Sequence, residues 1–212
     1  MLSITQVSLA YPGSPPLWEN LNLRLQPGEL LCLKGPNGCG KTSLLNLISG
    51  IIPQYVRAEC SGSISLDSLD LQPVPLRERF RFLCYQLNDP DNQIFFPRLE
   101  KELAFALENL GLPPDEMKRR IAASARYFGF DCMLDRAPDT LSSGQKKLLL
   151  LAVCECLQTP LVLLDEPSSG LSANALATLK DWLEKLLSQG RMVLVADHEF
   201  SYLPSGSRML EL

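Results

Sequence analysis

The chain has 212 residues, of which 46% are hydrophobic and 21% charged, and its formal net charge is -4. This balance supports one large domain, or a core with a smaller lobe, and offers no polyanion-binding surface, so no nucleic-acid partner is expected. Met1–Ala10 lacks a charged-then-apolar leader pattern, and the longest apolar run, Leu148–Cys154, is too short to cross a bilayer, so any work at a membrane would go through a partner.

Met1–Tyr11 and Leu17–Leu25 alternate loosely between apolar and polar residues, as half-exposed strands do, and Pro27-Gly28 marks a turn. Leu30–Leu33 is a short apolar strand. It runs into Gly35-Pro36-Asn37-Gly38-Cys39-Gly40-Lys41-Thr42, and Ser43–Ser49 then reads as a helix. Ser61–Leu71 alternates through Ile64, Leu66, Leu69 and Leu71 and predicts a further strand of an antiparallel layer. Phe80–Tyr85, Leu161–Leu164 and Met192–Ala196 are largely apolar runs typical of parallel strands buried on both faces. Between them lies a helical block. Leu99–Leu110 stops at Gly111, and Pro113-Pro114-Asp115 opens a helix to Phe128-Gly129. Gln145–Leu157 follows Ser142 and Ser143 and ends before Pro160. Ala175–Ser188 is the last helix, closed at Gly190. The expected organisation is one domain, 1–212: an α/β core with a flanking β layer from 1–87 and 159–212, and a helical subdomain from 88–158.

The glycine-rich run fits G-x-x-x-x-G-K-[ST] in its strand–loop–helix setting, the pattern of a phosphate-binding loop. Glycines let the backbone curl around phosphates, and amides at a helix N-terminus favour anions. Lys41 supplies a point charge for the β- and γ-phosphates and Thr42 a hydroxyl for Mg2+. Cys39 lies inside the loop beside Lys41 and the helix start, which favours a reactive thiol; a shielded filler is the alternative. The strand Leu161–Leu164 ends in Asp165 and Glu166. Ligands bind beyond the carboxyl ends of such strands, so Asp165 can meet Mg2+ and Glu166 can orient or deprotonate an attacking water. The seven cysteines (Cys32, Cys39, Cys60, Cys84, Cys132, Cys154 and Cys156) are scattered, odd in number and without C-x-x-C spacing, which predicts free reduced thiols.

Leu141-Ser142-Ser143-Gly144-Gln145 resembles the LSGGQ signature of the ATP-binding cassette (ABC) family, and similar segments stand in the family's order over nearly the whole chain. The resemblance implies a P-loop NTPase core with a parallel sheet, an antiparallel layer and a helical insertion. It implies adenine stacking on Tyr11 and phosphate binding by Gly35 through Ser43. Gln86 matches the family's Q-loop glutamine, which with Thr42 and Asp165 attends Mg2+. Asp165-Glu166-Pro167 matches the second nucleotide motif with its catalytic acid, Ser168–Ala173 the D-loop, and His198 the switch histidine. Lys41, Gln86, Glu166 and His198 would thus serve catalysis. Ser142, Ser143, Gly144 and Gln145 would cap ATP held by a second ABC subunit in a head-to-tail dimer.

Tyr85–Phe95 together with Leu99–Leu112 is similar to the ATPases of energy-coupling factor and cobalt/nickel-type importers. This implies an ATP-hydrolysing importer subunit for a vitamin or transition metal, peripheral on the cytoplasmic face. A transmembrane permease would seat a coupling helix around Gln86–Pro97. The alternative is a soluble cassette ATPase acting mechanically, or in assembly, on a non-membrane partner. A kinase built on a phosphate loop explains neither the signature nor His198. Three positions depart from the family: Ser143 for a glycine, Leu148 for arginine and Ser172 for the D-loop aspartate. They put equal, coupled sites of a homodimer in doubt.

Overall fold

In the computed structural model, which describes residues 1–212, the chain opens with β1 (Leu2–Ala10), β2 (Trp18–Leu25) and β3 (Leu30–Lys34). Next come α1 (Lys41–Ser49), a short turn α2 (Ile51–Gln54), β4 (Glu59–Leu66) and β5 (Leu69–Asp70). The short α3 (Leu76–Arg79) and β6 (Leu83–Gln86) follow, then the helices α4 (Leu99–Asn109), α5 (Pro114–Phe128) and α6 (Ser143–Leu157). β7 (Leu161–Asp165), α7 (Ala173–Ser188), β8 (Met192–Ala196) and β9 (Arg208–Glu211) complete the order.

Two sheets result. The antiparallel one has strand order β2-β1-β4-β5 and the parallel one β6-β7-β8-β3-β9. The loose alternation of β1 has a local cause. Leu2, Ile4, Val7 and Leu9 are all buried although Ile4 and Val7 are three residues apart. Gln6 takes φ 49° between them, and the register with β2 shifts there. The extra residue of a bulge returns Val7 to the buried face.

Every residue of β7 and β8 is buried. Their two faces serve two different cores. Val162, Leu164, Val193 and Val195 pack with the helices α4–α7, including Leu103, Phe128 and Trp182. Leu161, Leu163 and Leu194 pack with α1 and the antiparallel layer, including Leu44, Ile48, Ile4 and Leu25. Strands covered on both faces need an unbroken apolar run, which is why these segments lack alternation.

The structure departs from the expected strands and cysteines in four places. Ser61–Leu71 is a hairpin and not one strand: Asp67 at φ 53° turns the chain, and Leu66 pairs with Leu69. The Phe80–Tyr85 strand begins only at Leu83, because Phe80 closes α3 as its C-cap. β9 was without a signal, since as an edge strand it keeps no residue buried. Finally, Cys84 on β6 and Cys154 on α6 are joined as a disulfide, with Cα atoms 5.6 Å apart, correcting the expectation of seven free thiols. Their separation of 70 residues carries no sequence spacing that could announce the pair. Of the five others, Cys32 and Cys156 are buried, and burial pushes both thiols up to about 12.

Candidate nucleotide site

The loop between β3 and α1 is shaped by residues only glycine tolerates. Gly38 lies at φ 83° and Gly40 at φ 103°, and a Cβ on Gly40 would stand 2.4 Å from Trp18 Nε1. α1 begins at Lys41 with Gly40 as its N-cap and no side-chain cap. Its first amides therefore have no intrahelical acceptor and remain available to an anion. Lys41 and Thr42 fall in that first turn, two residues earlier than the helix start expected at Ser43.

A cleft of about 370 Å³ lies over this turn. Tyr11 and Leu17 from the β1–β2 connection line it, as do Asn37, Gly38 and Gly40–Ser43 of the loop and first turn. Glu166 and His198, just beyond β7 and β8, complete the lining. The Tyr11 hydroxyl is 3.0 Å from Ser43 Oγ, which ties the ring to the helix start. Gly35, Pro36 and Cys39 are not part of the lining. The carbonyls of Gly35 and Pro36 accept from Lys41 Nζ. The Cys39 thiol packs on Gly35, where an added Cβ would meet Sγ at 2.7 Å. Leu17 had no sequence signal beyond its place beside Trp18.

The strand ends supply the acids. Asp165 is 2% exposed, and its Oδ1 accepts from Thr42 Oγ1 at 3.1 Å. Burial pushes its carboxyl up to about 6, against the pull of the Thr42 hydrogen bond. Gln86, fully buried at the end of β6, donates through Nε2 to the carbonyls of Leu87 and, at 3.4 Å, of Asp165. Its Oε1 is buried and has no partner. Buried amide oxygens seldom stay unpaired. A hydroxyl, a carboxylate and an orphaned amide oxygen form a hard donor set, and that set fits Mg2+ with its waters.

Glu166 adopts φ 46°, unusual for a residue with a side chain. Its amide donates to the Ala196 carbonyl at 2.7 Å, and its Oε1 stands 3.8 Å from His198 Nε2. The loop bearing His198 is held by Asp197, to which no motif assigns a role. Asp197 Oδ1 accepts from the amides of His198 at 2.7 Å and Glu199 at 3.2 Å. Its Oδ2 accepts from the Ser168 amide at 3.2 Å and the Tyr202 hydroxyl at 2.7 Å. One buried carboxylate thus fastens the segment after β7 to the segment after β8. Its only signal in the sequence is adjacency to the single histidine.

Ser142, Ser143, Gly144 and Gln145 do not line this cleft. They form the N-terminus of α6 in a capping box. Ser142 Oγ accepts from the Gln145 amide at 3.3 Å, and Gln145 Oε1 accepts from the Ser142 amide at 2.9 Å. Gly144 permits a close approach, since a Cβ there would lie 2.9 Å from the Gly170 carbonyl oxygen. Ser172 caps α7 by accepting from the Ala175 amide at 3.3 Å.

A second hollow, of about 300 Å³ and mostly apolar, opens beside β6; Phe80, Leu87, Phe95, Phe105 and Val153 are among its walls. Phe95 is 67% exposed and Phe105 43%. The segment after Gln86 is braced by Gln93, which accepts from the Leu87 amide at 2.9 Å and donates to the Tyr85 carbonyl at 2.6 Å. Glu102 accepts from the amides of Phe95 and Phe96 at 3.1 and 2.9 Å.

The family model described as ABC transporter matches residues 18–169. A putative ABC transporter ATP-binding protein of Methanosarcina acetivorans is 30% identical over 215 residues, covering 100% of this chain. This chain spans only 41% of that relative's length. The energy-coupling factor transporter ATP-binding protein EcfA of Methanothermobacter thermautotrophicus is 29% identical over 199 residues, 94% of this chain and 63% of the relative. Among solved structures, cbiO1 from Clostridium perfringens, part of the ABC transporter complex cbiONQ, superposes with a TM-score of 0.79. That alignment covers 93% of this chain and 78% of the other at 24% identity, a likeness of fold.

Proposed function

Because the chain belongs to the ABC transporter family, whose model covers residues 18–169, we propose that it hydrolyses ATP as the motor subunit of a membrane importer. The observation that carries this reading is the convergence of Lys41, Thr42, Glu166 and His198 on one cleft, with Asp165 bonded to Thr42 beneath it. Tyr11 stacks on the adenine, and Lys41 with the first amides of α1 binds the phosphates. Thr42, Asp165 and Gln86 would hold Mg2+, which when bound would neutralise charge on the phosphate oxygens. Glu166 takes a proton from water as the water oxygen bonds to the γ-phosphorus, and the bond to the bridging oxygen of ADP breaks. His198 stabilises the charge on the transferring group.

The signature lies outside its own cleft and is therefore read as serving another subunit's ATP. Ser143 places a Cβ where the family has none, so we assign the chain to a dimer with a non-identical ABC subunit or with unequal sites. Residues 88–158 act as the helical subdomain against the core of 1–87 and 159–212. The apolar hollow at Phe95 and Phe105 receives a coupling helix of a transmembrane permease, at the cytoplasmic face of the membrane; no helix of the chain itself is long and apolar enough to cross one. The 29% identity to EcfA supports a vitamin or transition-metal importer as the class.

The test is Glu166→Gln. It should bind MgATP, accumulate as a dimer and turn over roughly two to four powers of ten more slowly. Near-normal turnover removes Glu166 from catalysis and overturns the reading. Co-purification with a multi-span permease would support the importer assignment, and a soluble partner in its place would replace it.

A further inference from the structure

Lys147, on the second turn of α6, is 5% exposed and does not itself line the nucleotide cleft. A lysine is seldom buried so completely without a task for its ammonium. Its Nζ donates to the backbone carbonyl of Glu166 at 2.7 Å. Burial pulls the ammonium below the ordinary lysine range, while the carboxylates of Glu166, Asp197 and Asp165 hold it up. It is thus a cation set among the acids at the ends of β7 and β8.

The Glu166 peptide unit is held from several directions. Its amide donates to Ala196 O at 2.7 Å, and its carbonyl accepts from the Ser169 amide at 3.3 Å as well as from Lys147. A non-glycine residue at φ 46° persists only where its surroundings determine it. Rotation of this backbone would swing the carboxylate away from His198 Nε2, now 3.8 Å from Oε1.

We infer that Lys147 is a positioning residue for Glu166: its ammonium fixes the left-handed backbone that aims the carboxylate, and it ties that backbone to the helix opening at Ser142. The inference rests on the catalytic reading of Glu166 above. One rigid helix then carries the signature at its N-terminus and, five residues on, the brace of its own subunit's base. Engagement of the signature by a partner's nucleotide and alignment of Glu166 become parts of one movement.

The experiment is a double-mutant cycle of Lys147→Met and Glu166→Gln, with Lys147→Arg as the conservative variant. Each is measured for kcat, KM for MgATP, affinity for a fluorescent ATP analogue and thermal midpoint. Lys147→Met should lower kcat roughly ten- to hundredfold with KM and nucleotide affinity unchanged, as expected for a misaimed base. Lys147→Arg should recover a large part of the loss. In the Glu166→Gln background, Lys147→Met should add no further loss in single-turnover rate, because residues acting through one group are not additive. A folded Lys147→Met protein with unchanged kcat overturns the inference, as does a loss that multiplies with that of Glu166→Gln. If Lys147→Met does not fold, Lys147→Gln, which keeps polarity but falls short of the carbonyl, carries the same comparison. Near-normal turnover by Glu166→Gln alone defeats the catalytic reading itself, an outcome separate from these.

Discussion

Lys41 Nζ donates to the carbonyl oxygen of Gly35 at 2.8 Å and to that of Pro36 at 3.2 Å, so the ammonium closes the loop that it is placed to serve. Lys41 is also the only basic side chain lining the cleft apart from His198. Its replacement removes both the loop's brace and the charge that we assign to the phosphates. We expect Lys41→Ala to weaken nucleotide binding about ten- to hundredfold, the value of a lost charge-assisted contact. Titration with a fluorescent ATP analogue measures this; unchanged affinity means the site lies elsewhere.

Cys39 is half-buried, with Sγ 4.0 Å from Lys41 Nζ. Its packing on Gly35 means that an adduct on Sγ must displace the loop. A small maleimide should inactivate the protein and MgATP should protect it, while Cys39→Ala stays active and becomes insensitive. Peptide mapping gives the order of labelling. Loss of activity that tracks the exposed Cys60 or Cys132 would show the loop thiol to be shielded.

Ser143 and Ser172 bear on the dimer. Ser172 caps α7 as aspartate would, so its replacement for the family's aspartate leaves the helix start intact. Ser143, the exposed first residue of α6, is free to meet a partner. The isolated chain should therefore show little ATP turnover and no second-order dependence on its own concentration. Robust second-order activity, abolished by Ser142→Arg, would establish a competent homodimer and defeat the prediction of an unequal pair.

Arg79 is the stability counterpart. It is 4% exposed and donates to three backbone carbonyls: Val74 at 3.0 Å, Ile48 at 2.7 Å and Leu71 at 2.5 Å. The Ile48 carbonyl is at the C-terminal end of α1, where a cation is favoured. Arg79→Ala takes this donor from the buried Ile48 carbonyl and one of two donors from the Val74 and Leu71 carbonyls, which keep Gln54 Nε2 and the Val74 amide, and should cost about 1–3 kcal/mol. Urea unfolding reads this directly, and a loss within experimental error would show that water takes over the three contacts.

Much of this was readable from the chain because the signals are local. The phosphate loop is one contiguous run, and Leu161–Leu164 of β7 and all of β8 are apolar because both faces of these strands are covered. What escaped is held together by distant residues. The Lys147–Glu166 contact spans 19 positions, the Asp197–Ser168 contact 29 and the Cys84–Cys154 disulfide 70. None has a spacing rule, since each depends on how α6 and the strand ends pack. β9 was missed for the opposite reason: an exposed edge strand satisfies its backbone against Leu31–Lys34 without needing apolar residues.

The parallel sheet is the shared wall of two cores, with neighbouring residues of β7 and β8 pointing into different ones. Neither core can open without baring one face of the same strands. Amide protons of Val162–Leu164 and Val193–Val195 should accordingly be the slowest in the protein to exchange with solvent, released only when the entire domain unfolds. Those of the short β5 hairpin, at the edge of the other sheet, can exchange by fraying that leaves both cores shut. The nucleotide cleft is built where the slow strands end, so its acids stand on the least yielding part of the chain while the loops around them stay free to move.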